Sequence, residues 1–176
     1  SIRNGKMLPT LLRPPMQPTP TPSATELIVL CGLSGAGKTV AIRALEDAGY
    51  YCIDHLPTAV LLPTLAVLQN QGVSRIAIGL EMSDPEFVRN AQCHWDDLVQ
   101  QGFSIRAVVL TCRADVLMRR YHETRRPHPL SKMGLSTESA IAMETRALRT
   151  LPRGIHMVDT SEMTALILTK WMQQYI

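Results

Sequence analysis

Eight consecutive residues, Gly32-Leu33-Ser34-Gly35-Ala36-Gly37-Lys38-Thr39, match the spacing G-x-x-x-x-G-K-[ST] in full. Glycines let backbone N–H groups point inward around phosphate oxygens with no side chain in the way. A helix opening at the end of such a loop adds the partial positive charge of its N-terminus. Lys38 brings a full charge to β- and γ-phosphates, and Thr39 an oxygen for Mg2+. The chemistry implied is the grip of a nucleoside triphosphate, ATP or GTP, together with Mg2+. A glycine-rich turn can match by chance, so the flanking elements decide: an apolar run must precede the loop and a helical pattern must follow it.

Asp54 closes the run Tyr51-Cys52-Ile53-Asp54. In open α/β sheets, ligands gather at the carboxyl ends of the strands. From there Asp54 could hold Mg2+ through water, or act as catalytic base towards an acceptor hydroxyl beside the charge of Lys38. The plainer alternative is an N-cap for the next helix, with Pro57 near its first turn. His55 reads as a surface turn residue. Further along, Arg113, Arg119, Arg120, Arg125, Arg126 and Lys132 face only Asp115 and Glu123, a local excess of +4 over residues 113–132. Arg119, Arg120, Arg125 and Arg126 suit charge-assisted, bidentate contacts to phosphate from a mobile loop. A solvated basic turn or an RNA-phosphate patch would give the same composition. Asp159 again stands at a strand's carboxyl edge, where an N-cap for the last helix is the simpler role.

The elements that must position these groups alternate. Leu27–Cys31 is too uniformly apolar for a half-exposed strand and suits the centre of a parallel sheet. A helix over Thr39–Ala48, stopped by Gly49, follows the loop. Strands are expected at Tyr50–Asp54, Arg75–Glu81, Ile105–Cys112 and Ile155–Asp159. Helices are expected at Pro57–Gln71 with a kink near Pro63, Pro85–Gln101 capped by Asp84, Asp115–Tyr121, Ser136–Leu148 and Ser161–Tyr175. A basic loop spans residues 122–135. Such alternation predicts a three-layer α/β/α fold around a five-stranded parallel sheet.

The chain has 176 residues, a prior for one domain with enough length to bury a sizeable core. The first 25 residues hold six of its 12 prolines, together with Arg3, Lys6 and Arg13 and no acid. They read as a disordered proline-rich arm, or as a docking segment, ahead of a nucleotide-binding body over 26–176. The formal net charge of +3 is that arm's, because removing its three cations leaves 15 basic and 15 acidic residues. A polycationic nucleic-acid binder is therefore excluded as the simple reading. Aromatics at 5% also argue against a stacking platform for single strands. Cys31, Cys52, Cys93 and Cys112 form no C-x-x-C pair and read as structural thiols of a cytoplasmic protein. No apolar run reaches the roughly 18 residues of a membrane span, and no signal-peptide core precedes the body.

Residues 32–57, with Arg119–Ser131 (RRYHETRRPHPLS), Leu135–Ala140 and Val158–Met163 (VDTSEM), together resemble the RapZ/YvcJ family over about residues 27–175. The resemblance implies a P-loop, kinase-like domain that binds ATP or GTP with weak or no hydrolysis. It also implies an RNase adapter role, linking amino-sugar metabolism to RNA decay. There a small regulatory RNA is presented to an endoribonuclease, much of the RNA and metabolite binding lying in a C-terminal domain that these residues do not include. Three departures matter. The family's acidic residue at the end of the fourth strand falls on Thr111, which argues against efficient hydrolysis. Its Asp-Val-Arg-Asn segment falls on Gly79-Leu80-Glu81-Met82, which weakens a guanine assignment, and its Asn after the second-strand Asp is His55. The alternatives are a small-metabolite kinase with Asp54 as base and an arginine lid, and an RNA-binding adapter whose loop holds phosphate structurally. A homo-oligomer is left open.

Overall fold

The computed structural model describes residues 24–82, 85–151 and 155–176, with side chains of the third helix described from Cys93 onward. Residues 1–23 of the proline-rich arm, and the cap assigned to Asp84, lie outside the described residues. The elements run β1 (Thr25–Gly32), α1 (Lys38–Asp47), β2 (Tyr51–Ile53), α2 (Leu61–Asn70), β3 (Arg75–Gly79), α3 (Pro85–Gln100), β4 (Phe103–Thr111), α4 (Ala114–Thr124), α5 (Thr137–Leu148), β5 (His156–Asp159) and α6 (Ala165–Tyr175). Short 3-10 turns cover Thr58–Val60 and Pro129–Met133.

The strands form one sheet in the order β2-β3-β1-β4-β5, with every pairing parallel. β1 lies at its centre, as its unbroken apolar run predicts. Alternate side chains of β1 then feed two cores. Ile28 and Leu30 face α1, α4, α5 and α6 through Leu45, Leu117, Ile141 and Met172. Leu27, Val29 and Cys31 face α2 and α3 through Leu61, Leu65 and Leu98. Burying one such aliphatic side chain is worth about 1.5–3 kcal/mol. The double-sided burial of β1 therefore anchors the loop that leaves its carboxyl end.

Local expectations needed correction where chain geometry overrode pattern. β2 is only three residues long and lies at the sheet edge, so Tyr50 and Asp54 fall outside its ladder. The helix expected from Pro57 opens instead as a 3-10 turn, and α2 starts at Leu61. Pro63 then sits in the first helical turn, where its missing N–H has no partner to lose, and no kink is required. Pro57, not Asp54, occupies the N-cap position of that turn. α4 continues to Thr124, three residues into the expected basic loop. α6 starts at Ala165, capped by Thr164, whose hydroxyl accepts from the Ile167 N–H at 3.2 Å. Asp159 instead closes a tight turn by accepting from the Ser161 N–H at 2.9 Å. The Ser136 cap of α5 is as expected, with its hydroxyl accepting from Ser139 N–H at 3.2 Å. Among the described residues no helix is long and apolar enough to cross a membrane. All four cysteines are free thiols, and burial pushes Cys31 up to about 12, against the opposing pull of the nearby Lys38 charge.

Candidate nucleotide site

The loop Gly32–Thr39 leaves the carboxyl end of β1 and turns directly into α1. Gly37 is the N-cap of α1 at φ 109°, in the left-handed region that a β-carbon disfavours. No side chain caps this helix and no acidic residue stands in its first turn. The free N–H groups of that turn and their dipole are thus left to an anion. Leu33, Ser34, Gly35, Gly37, Lys38 and Thr39 line a cavity of about 430 Å3 together with Arg120, Tyr121, Thr124 and Arg126. Gly32 and Ala36 support the loop from behind: Gly32 packs on β4, and Ala36 is fully buried.

Lys38 is the first residue of α1, and its side chain is 13% exposed. Its ammonium pairs with Glu81, donates to the Leu80 carbonyl at 3.3 Å and stands 3.9 Å from Asp54 Oδ1. Asp54 therefore does reach the cradle, from the carboxyl end of β2. It fits there because Gly79 has no β-carbon: one would lie 2.2 Å from Asp54 Oδ1. His55 bridges the two acids, with Nδ1 2.6 Å from Glu81 Oε1 and Nε2 3.4 Å from Asp54 Oδ2. Asp54, His55 and Glu81 each offer a ligand atom within 4.8 Å of the others. Hard oxygen donors beside a phosphate cradle suit a divalent cation such as Mg2+. Thr39 lies exposed on the same cavity wall, one residue beyond Lys38.

Sequence reasoning does not single out Glu81, because the departure at Thr111 concerns β4, the other neighbour of β1. β1 has two neighbours, β3 and β4, and the acid follows β3. An acidic residue just past a buried parallel strand was the available signal. Thr111 itself donates its hydroxyl to the Val158 carbonyl at 3.3 Å, in a structural role.

The four arginines separate. Arg120 is not part of a free lid: it donates to the Gly35 carbonyl at 3.0 Å and to the Thr160 carbonyl at 2.8 Å, tying the loop to the turn after β5. Arg126 lines the same cavity as the loop. Arg119 and Arg125 are exposed and outside the cavity lining, Arg125 at φ 51° closing α4. The local +4 is weaker than its count, because Arg113 pairs with Asp115 at 3.3 Å and Glu162 at 2.9 Å. Those carboxylates hold the guanidinium pKa above its usual value, and Arg113 holds Asp115 below the usual range against its own desolvation.

Three further residues stand around the cradle; Thr160 and His128 lie in segments that carry the family resemblance, and Glu144 lies outside them. Thr160 is buried after β5, and its hydroxyl donates to the Ala36 carbonyl at 2.6 Å. A recess of about 210 Å3 opens beside it, lined by Gly37, Val40, Arg120, Met163 and Leu168. Glu144 of α5 accepts from the Ser34 N–H at 2.8 Å and the Ser34 hydroxyl at 2.7 Å. His128 lies against it.

The sequence over residues 25–176 matches the RapZ-like N-terminal domain. A nucleotide-binding protein of Nitrosomonas europaea is 36% identical over 152 residues, covering 86% of this chain and 52% of that protein. A nucleotide-binding protein of Haemophilus influenzae is 38% identical over 152 residues, covering 86% and 53%. The chain spans about half the length of these curated relatives. The tunicamycin resistance protein of Deinococcus radiodurans superposes with a TM-score of 0.61 at 14% identity, covering 86% of this chain and 95% of that one. That likeness concerns the fold, a P-loop α/β architecture. With the family pattern spanning all but the arm, the chain belongs to the RapZ-like N-terminal domain family.

Proposed function

We propose that this domain is a regulatory binder of ATP or GTP with Mg2+, with weak or no hydrolysis. The observation that carries the reading is the state of Lys38. Its ammonium sits at the mouth of an uncapped helix N-terminus and is held by Glu81, with Asp54 nearby. Phosphates entering the cradle would take over Lys38. Asp54 and Glu81 would then be released to face a cation, with the Thr39 hydroxyl alongside. Mg2+, when bound, supplies charge neutralisation and orients the phosphates. The recess beside Thr160 and Arg120 shares Gly35, Gly37 and Val40 with the cradle and adds Met163 and Leu168, apolar walls expected around a base. Either purine fits this description. Arg126, also in the cavity lining, would add charge.

For the role of the occupied state, the resemblance to the family supports one reading. We infer that, in the longer proteins, nucleotide occupancy governs presentation of a small regulatory RNA to an endoribonuclease in the cytoplasm. The arrangement supports binding better than turnover. Thr111 leaves the β4 side of the cradle without a carboxylate, and Arg120 spends its donors on backbone carbonyls.

The test is thermal unfolding with MgATP and MgGTP, on the wild-type chain and Lys38→Ala. At ligand a hundred times Kd, stabilisation of about 2.7 kcal/mol is expected for the wild type. Lys38→Ala should show no rise. Equal shifts in both chains would refute the assignment. A metabolite that accelerates ADP release at least about a hundredfold would establish kinase chemistry instead. RNA binding by the domain that ignores nucleotide and is lost on charge reversal at Arg125 and Arg126 would favour the adapter with a structural phosphate site.

A further inference from the structure

The cradle and the arginine segment meet at one buried carboxylate. Glu144 is 1% exposed and His128 0%. Burying a carboxylate is costly unless several donors surround it. Glu144 accepts from both donors of Ser34, at 2.8 Å and 2.7 Å, while His128 Nε2 stands 3.1 Å from Oε1 without the alignment of a hydrogen bond. The histidine tautomer follows from its other nitrogen. Nδ1 accepts from the Leu130 N–H at 3.0 Å, so the ring proton is on Nε2, the atom that faces Glu144. Tyr121 packs its ring 5.4 Å from His128, and its phenol is pushed up to about 12 by burial and by the Glu144 charge. Both donors of Ser34 are thus taken by Glu144, and this attachment to α5 sets the shoulder of the loop.

His128 also fixes the segment before it. Only Pro127 separates it from Arg126, so the two Cα atoms are at most about 7 Å apart. Pro127 fixes its own φ and drives Arg126 towards extended backbone. Pro129 restricts His128 in the same way, and His128 is extended at φ −61°, ψ 141°. Little backbone freedom remains between the anchored imidazole and Arg126, a residue of the cavity lining.

We propose that Glu144 and His128 are positioning residues, joining the Ser34 shoulder of the cradle and the Arg126 segment at one buried point so that Arg126 bears on the bound triphosphate. This rests on the nucleotide reading above and adds a prediction of its own: the contribution of Arg126 depends on residues that never touch the ligand.

The experiment is a double-mutant cycle, read as calorimetric Kd for MgATP and MgGTP. In the wild-type background Arg126→Ala should weaken the tighter nucleotide about tenfold, the loss of one charge-assisted contact. In Glu144→Gln or His128→Gln, the same substitution should cost no more than about twofold. Ser34→Ala keeps the contact between Glu144 and His128, so Arg126 should keep its full factor there. A constant factor across all backgrounds, or no effect of Arg126→Ala in the wild type, overturns the proposal. A wild-type chain that binds neither nucleotide sinks the nucleotide reading itself, a different result. A measurement without substitution at the buried pair keeps the test decisive if those variants do not fold. With 15N-labelled histidine, the tighter nucleotide should shift the His128 Nε2 resonance, and Arg126→Ala should abolish most of that shift. An unmoved resonance in the nucleotide-bound wild type, or an undiminished shift in Arg126→Ala, also overturns it.

Discussion

Replacing Glu81 by Gln should separate two opposed effects of one carboxylate. In the free protein Glu81 holds Lys38, so an arriving phosphate must displace it. With Mg2+ present, the same carboxylate is among the groups that can face the cation. The second acid sets the electrostatic scale: Asp54 Oδ1 is 3.9 Å from Lys38 Nζ. At an effective dielectric of about 20, unit charges near that separation attract by about 4 kcal/mol. The Lys38 and Glu81 side chains keep 13% and 25% of their surface exposed, so water screens part of this. Fully exposed pairs fall to about 0–1 kcal/mol. An intermediate value of about 1.5 kcal/mol corresponds to roughly tenfold in affinity. Glu81→Gln should therefore bind Mg2+-free nucleotide about tenfold more tightly than wild type. In excess Mg2+ the advantage should vanish or reverse. Calorimetric titration with chelator and with Mg2+, on both chains, reads the two ratios directly. The same ratio under both conditions would refute the opposed roles, as would weaker binding by Glu81→Gln in chelator.

Thr160→Val keeps the shape of a buried side chain but leaves the Ala36 carbonyl without its hydroxyl donor. A loss of about 1–3 kcal/mol in stability is expected, read as a lower urea midpoint at unchanged slope, with weaker nucleotide binding alongside. Cys31 gives a pH prediction: its folded pKa of about 12 lies above the unfolded value near 9.0. Its contribution is complete below pH 9 and is lost as pH rises towards 12, at up to about 1.4 kcal/mol per pH unit. Cys31→Ala should flatten that part of the urea-stability profile, and an unchanged slope would reject the assignment.

The parts of the site legible in the sequence were local in the chain. The loop Gly32–Thr39 could be read because its chemistry needs fixed spacing within eight residues. Asp54 could be placed because strand ends gather at one edge of a parallel sheet. Glu81, Thr160 and Glu144 reach the cradle through space, and their positions depend on strand order and helix docking that no short window encodes. The arginine run illustrates the boundary. Arg119 and Arg120 are adjacent in sequence, yet about 100° apart around α4, so one meets the loop and the other meets water. Composition identified a basic segment; only the helix phase assigned the work within it. The same limit applied to Asp159, whose type suited a cap but whose turn ended before α6 began.

The bond from Thr160 to the Ala36 carbonyl has a consequence for how the cradle waits. A trans peptide places its oxygen and the following N–H on opposite sides of one rigid plane. Holding the Ala36 oxygen towards Thr160 thus turns the Gly37 N–H the other way. An empty loop of glycines would otherwise sample peptide rotations, and an anion would have to select one of them. Here the selection is made by folding, and its entropic cost falls on the stability of the domain instead of on the affinity for ligand. Phosphate should enter a donor array already aimed, so that encounter, rather than loop rearrangement, limits how fast the site fills.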